Sequence, residues 1–150
     1  MKTNAFLTHR AKIVEDVGSG KWIEGFYVIL TNPYHHKTYH CIYPGYTESD
    51  CGTLYPDRFE VDEKTVSLYT GIRDKNGKEI YTGDIVKYCP TGRIHEVVFS
   101  DANDCAYFGI SFPDREEIWG FGHYVPGKIL EVIGNVWDNP DLAEKARSGK

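Results

Sequence analysis

Residues 68–88 read LYTGIRDKNGKEIYTGDIVKY. Asp74 is suited to turn the chain by accepting a hydrogen bond from a backbone N–H two residues on, and Asn76-Gly77 supplies the positive φ of a tight hairpin. Gly83-Asp84 gives a second turn directly before the apolar run Ile85-Val86-Lys87-Tyr88-Cys89. Two reversals within about ten residues demand these residue types for geometry alone. The stretch therefore reads as a corner between short strands, with Lys75 and Lys78 flanking its tip in solvent.

The rest of the chain keeps a period near two. Ile13 to Val17 reads as a strand, Val17 to Gly20 as a turn and Lys21 to Leu30 as a longer strand, which together make a hairpin. Thr38 to Tyr43 alternates, and Pro44 to Pro56 is rich in Gly, Pro, Ser, Thr and Asp, so it is expected to be the longest irregular loop. Phe59 to Val61 and Thr65 to Thr70 resume extended structure. Arg93 to Phe99 and Ala106 to Phe112 read as the arms of another hairpin joined by Ser100 to Cys105, and Ile118 to Gly122 as a short edge strand. Lys128 to Val136 is apolar on both sides and is expected to be a central strand. Ile129 and Ile133 would face one way, and Leu130, Val132 and Val136 the other. At the end, Asn139 suits an N-cap, Pro140 the first helical position and Asp141 the first turn. A helix of about two turns to Arg147 would dock Leu142 and Ala146 on the sheet or on a neighbouring subunit.

A chain of 150 residues suits one domain, or two lobes split near 1–66 and 67–150. Eleven Tyr, seven Phe and three Trp beside one Met favour pleated surfaces. The formal net charge is −5, made of −2 over residues 1–66 (7 basic, 9 acidic) and −3 over 67–150 (10 basic, 13 acidic). Neither part has the basic block on which duplex nucleic acid binding usually draws. No apolar run approaches the roughly 20 residues of a membrane helix. Met1-Lys2-Thr3-Asn4 leads into a short interrupted run unlike a secretory leader. A cytoplasmic setting with reduced thiols is the expectation, with no membrane partner.

The central stretch, followed about forty residues later by LEVIGNVWDNPDLAEKA, resembles the YopX-like proteins of bacteriophages and prophages. The family's pattern is matched by Tyr69, Thr70, Gly71, Asp74, Gly77, Ile80, Gly83, Asp84, Ile85 and Val86, and its closing pattern by Val132, Ile133, Gly134, Asn135, Asn139, Pro140 and Leu142. The front, HRAKIVEDVGSGKWIEGFYV, is similar to one branch of the family, with Ala11 in place of a glycine. The resemblance implies a small, mostly β protein in a bacterial host cell, with no assigned catalytic residues, cofactor or substrate. The turn before Ile85 and the later hairpin also resemble small SH3-like barrels. The expected fold is mainly β, with N-terminal hairpins packed on an SH3-like C-terminal barrel and a short C-terminal helix.

Several clusters of chemistry-bearing residues need weighing. His36 and His40 with Cys51 have the residue types of a zinc site, but on a strand the two histidines lie about 13 Å apart and Cys41 faces the other side. Cys89 and Cys105 read as buried, inert thiols, and no spacing selects His95 as a base for either. Glu116-Glu117, Asp101 with Asp104 and Asp138 with Asp141 sit where solvation and capping explain them, whereas acid–base catalysis sets two carboxylates across a cleft. Neither glycine-rich phosphate signature occurs, and no helix follows the Asp74 corner to hold an anion. Tyr69, Tyr81, Tyr88 and Tyr107, beside Lys78, Lys87 and Arg93, have the makings of a platform for stacking single-stranded bases. The expectation is a non-enzymatic phage accessory protein with no metal or cofactor. It would bind a phage or host protein or assemble with itself as an oligomer, and single-stranded nucleic acid binding is the alternative.

Overall fold

The structure is a computed structural model that describes residues 8–14, 20–101, 105–123 and 126–149. The chain is mainly β, with eleven strands among the described residues and a short helix at the C-terminal end. It divides into two compact units, Met1–Leu68 and Tyr69–Lys150.

In the first unit, β1 (His9–Lys12), β2 (Trp22–Thr31), β3 (Thr38–Glu48) and β4 (Leu54–Glu60) form an antiparallel meander. The start of β5 (Ser67–Arg73) pairs with the other side of β1. Strand β1 begins four residues before the predicted Ile13; Ile13 itself makes a single bridge to Val61. The expected turn at residues 17–19 and the strand end at 15–17 lie outside the described residues. Ala11, Ile42 and Val61 are buried together, with Ile23, Tyr27 and Val66 packed against them.

Pro44 to Pro56 is not a long loop. β3 runs on to Glu48, Tyr46 faces Pro56, Thr47 faces Tyr55, and only residues 49–53 turn the chain. The proline and glycine signals have sheet explanations here. Pro44 falls where the register shifts between Ile42 and Gly45, and Pro56 lies on the outer strand, where a missing N–H costs no ladder bond.

In the second unit, the later residues of β5 pair with β6 (Glu79–Tyr81) around the Asp74 corner. A five-stranded antiparallel sheet follows. β7 (Asp84–Tyr88), β8 (Ile94–Ser100), β9 (Tyr107–Phe112) and β10 (Glu117–Gly120) run as a meander, and β11 (Leu130–Asn135) returns beside β7. A four-residue helix, α1 (Pro126–Ile129), leads into β11. One core joins the faces of the sheet and the β5–β6 ribbon: Ile80, Val86, Val97, Ile110, Phe112, Phe121 and Leu130 are buried together. That arrangement is compatible with a small barrel. On the other face α2 (Pro140–Ser148) covers Ile85, with Ala143 and Ala146 buried and Leu142, Ile94, Ile133 and Val136 packed around them. The helix docks on the sheet, as its apolar spacing requires.

β11 is an outer strand, not a central one, since among the described strands only β7 pairs with it. It is apolar on both sides because Leu130 and Val132 meet the core while Ile133 lies under α2. Ile129, the last residue of α1, joins the core side, and past the register shift between Val132 and Gly134, Val136 joins the helix side, the reverse of the expected pairing.

Candidate functional site

The corner at residues 73–78 is built around one carboxylate. Asp74 Oδ1 accepts from the N–H of Asn76 (2.8 Å) and Lys78 (2.9 Å), and Oδ2 accepts from the N–H of Val132 (2.9 Å), 58 residues away. The Asp74 N–H donates to the Lys78 carbonyl and the Lys75 N–H to the Leu130 carbonyl. The corner thus supplies partners to backbone groups of the outer strand β11, which a sheet edge otherwise leaves to water or to another chain. Burial pushes the Asp74 carboxyl up, but the N–H donors of Val132, Lys78 and Asn76 and the Lys78 charge outweigh it. Its pKa lies below the usual 3.8. Lys78 is exposed, but Lys75 is not a free tip cation; its Nζ pairs with Glu131 at 2.7 Å.

The neighbouring consensus residues do the same kind of work. Thr70 Oγ1 donates to the Ile80 carbonyl at 2.8 Å and accepts from the Ile72 N–H. Asp84 Oδ2 accepts from the Tyr81 N–H at 2.9 Å. Gly83 has φ +79°, and a Cβ there would fall 2.3 Å from the Trp137 ring. In the closing motif, Asn139 Oδ1 accepts from the Asn135 N–H at 3.1 Å instead of capping its own helix. A Cβ on Gly134 would lie 2.4 Å from that oxygen. Asn135 Oδ1 in turn accepts from the N–H groups of Trp137 and Asp138.

The remaining sequence candidates are scattered. His36 lies in the β2–β3 turn with φ +53°, His40 lies within β3, and Cys51 lies at the β3–β4 tip. Among the described residues no group of three His, Cys, Asp or Glu side chains is placed to hold a metal ion. The expectation of buried thiols fails: Cys89 is half-buried and Cys105 exposed, and of the four cysteines only Cys41 is buried. Hydrogen bonds from Ser49 and Thr53 pull the exposed Cys51 thiol down to about 7. Glu117 accepts from the Trp119 indole, Asp138 from the Asn135 amide, and Asp141 sits in the first turn of α2; Asp104 lies outside the described residues. Of the four platform tyrosines, Tyr81 is not available for stacking. Tyr81 is 1% exposed, its ring packs tilted against that of Tyr69 with centroids 5.3 Å apart, and its hydroxyl donates to Glu79, so its ring faces inward.

Two arrangements escaped the sequence reading. The first is a relay in which the Tyr27 hydroxyl lies 2.5 Å from His40 Nδ1 and His40 Nε2 lies 2.9 Å from Glu63. It has the order of a nucleophile, base and orienting carboxylate. Burial, then the charge of Glu63, pushes the Tyr27 hydroxyl above its usual 10, so the ring keeps its proton and the relay acts as a tie between strands. The second is a groove of about 640 Å³ on the open face of the first unit, lined by Phe26, Val28, Tyr43, Pro44, Tyr46 and Pro56. Phe26 is 55% and Tyr46 70% exposed. Register places Phe26 opposite Tyr43 and Tyr46 opposite Pro56, so the rings share the groove through strand pairing alone.

No helix among the described residues is long and apolar enough to cross a membrane. The family model described as YopX protein matches residues 23–144. A crystal structure of protein EF1440 from Enterococcus faecalis is similar in fold. Its TM-score is 0.53 at 23% identity, over 91% of this chain and 96% of that one. No curated protein matches the chain.

Proposed function

Because the chain belongs to the YopX family, we propose that it is a non-catalytic accessory protein of a phage or prophage. It acts in the host cytoplasm by associating with a second copy of itself through the groove face of the first unit. The observation that carries this reading is the uncharged surface of the exposed Phe26, Val28 and Tyr46 with the half-buried Tyr43. Contiguous apolar surface of this kind marks an interaction site. On a chain of net charge −5, an uncharged face is where two identical copies approach without repulsion. Pro56 on the outer strand interrupts backbone pairing at the edge, which favours face-to-face contact over ladder growth. The non-catalytic part is supported by the consensus residues, whose side chains bind the chain's own backbone, and by the raised pKa of Tyr27 in the one relay described.

Equilibrium sedimentation across a wide concentration range tests it. The wild type is expected to show a concentration-dependent dimer, and the double variant Phe26→Glu, Tyr46→Glu to remain monomeric with an unchanged melting temperature. A wild type that stays monomeric at the highest concentration overturns self-association. Specific turnover abolished by one substitution overturns the non-catalytic part.

A further inference from the structure

At one end of the second unit's sheet, the β7–β8 turn and the β9–β10 turn bring two arginines to the rim of a pocket. Arg93 comes from the first turn and Arg115 from the second. The walls are Tyr88 and Phe112, which face the core, and the exposed Trp119, and His95 lines the pocket with them. Register explains the juxtaposition. Val97 pairs with Ile110, which sets His95 beside Phe112, and Trp119 also pairs with Ile110. The volume is about 430 Å³, within the size range of small-molecule sites.

His95 is the telling residue. It is 4% exposed, with its ring 4.3 Å from that of Phe112. Its Nδ1 lies 2.9 Å from the Ser111 carbonyl oxygen. A carbonyl only accepts, so Nδ1 carries the hydrogen and the neutral ring presents Nε2 as a bare acceptor. Burial lowers the pKa of this ring, with the Ser111 bond opposing, the Arg93 charge adding and Asp114 opposing, so the neutral form holds near neutral pH. Nε2 is buried without a hydrogen-bond partner. A buried polar atom left unpaired is costly and calls for an explanation.

The surroundings state what such a partner is made of. Phe112 packs between His95 and Trp119, and the exposed Trp119 offers a face for a flat heterocycle; Nε2 asks for an N–H donor, and the guanidiniums ask for an anion. Arg115 has no ion pair among the described residues, and Arg93 has only a loose contact with Asp114 at 3.7 Å. Glu117 holds the Trp119 indole by its Nε1–H at 3.3 Å, which fixes the plane of that wall. We propose that this pocket binds one nucleotide, free or at the end of a single strand. Its base lies against Trp119 and donates an N–H to His95 Nε2, and its phosphate meets Arg93 and Arg115. Two guanidiniums on an otherwise acidic chain suit a single phosphate, not a long polyanion. The pocket is independent of the groove in the first unit.

The experiment is calorimetric titration of the full chain at low salt with each of the four common nucleoside monophosphates, their nucleosides, inorganic phosphate and a short single-stranded oligonucleotide. At least one monophosphate is expected to bind at least about tenfold more tightly than its nucleoside and than phosphate. Arg115→Ser, at an exposed turn position, is expected to weaken it by about tenfold with folding unchanged. His95→Leu tests the acceptor and is expected to weaken the monophosphate more than it weakens phosphate. An oligonucleotide that binds more tightly than the monophosphate assigns the site to strand ends, and one that binds no better assigns it to free nucleotides. Binding by none of the nucleotides, equal binding of bare phosphate, or wild-type affinity in Arg115→Ser overturns the proposal.

Discussion

Within Met1–Leu68 the buried side chains Ala11, Ile42 and Val61 make one small cluster, while Phe26, Ile29, Tyr46, Leu54 and Tyr55 stay exposed. Within Tyr69–Lys150 seven buried side chains make one core, and a second cluster forms beneath α2. Both units are antiparallel meanders with comparable turn chemistry, so topology does not explain the contrast. It lies in what covers the sheets. The second unit brings its own covers, the β5–β6 ribbon on one face and a helix on the other. The strands of the first unit leave aromatic rings on an open face. Burial of apolar area is the main source of stability, so the second unit is the better candidate to hold the fold and the first to meet a partner.

Matched core truncations are the strongest way to break that contrast. Ile110→Ala and Ile42→Ala each remove a side chain with no exposure. The first is expected to cost about 4 kcal/mol, because its densely packed site cannot collapse, and the second about 2 kcal/mol. Denaturant unfolding measures both, and equal costs would mean that the small cluster is as rigid as the large one.

Asp74→Asn tests whether the second unit also depends on its corner. It removes the charge that three N–H donors share and is expected to cost about 2 kcal/mol at neutral pH. The sign with pH follows from a folded-state pKa below 3.8. The Asp74 contribution is fully present above the unfolded-state value and is lost as pH falls through the folded-state value. Wild type and variant should therefore converge in acid, which urea midpoints measured from neutral pH downward will show. A gap that stays constant would place the effect in packing, not in charge.

The smallest effect concerns the first unit's exposed tip. Alkylation of Cys51 should be half-maximal near pH 7, with no loss of stability, since its thiol is lowered to about 7 in solvent. Peptide mapping after iodoacetamide treatment at several pH values separates it from Cys89 and Cys105. Modification of Cys51 only at alkaline pH would show that Ser49 and Thr53 do not order the tip.

The parts of the molecule written in local chemistry were legible in the sequence. Asp74, Asn76 and Gly77 form the predicted corner, and Pro140 opens the predicted helix. The mainly β class followed from the same signals. Features set by distant strands were not legible. Pro44 and Pro56 carry the same letters in a loop, at a bulge or on an outer strand, and only the pairing with the neighbouring strand decides. β11 is apolar on both sides, which is equally true of a central strand and of an outer strand roofed by a helix. His95 and Arg115 come together through two separate hairpins, and no spacing within either hairpin announces the meeting. The Asp74 carboxylate showed its turn role in the sequence but not its hold on Val132.

That hold has a consequence for the order of events during synthesis. The ribosome makes Asp74 long before Val132, and at typical elongation rates of about 5–20 residues per second the 58-residue gap lasts about 3–12 s. Throughout that interval the Asp74 carboxylate has only its local N–H donors within reach, and the Val132 N–H is not yet made. The corner locks only when the last strand emerges, so a transcript cut short before codon 132 yields a chain that lacks the latch.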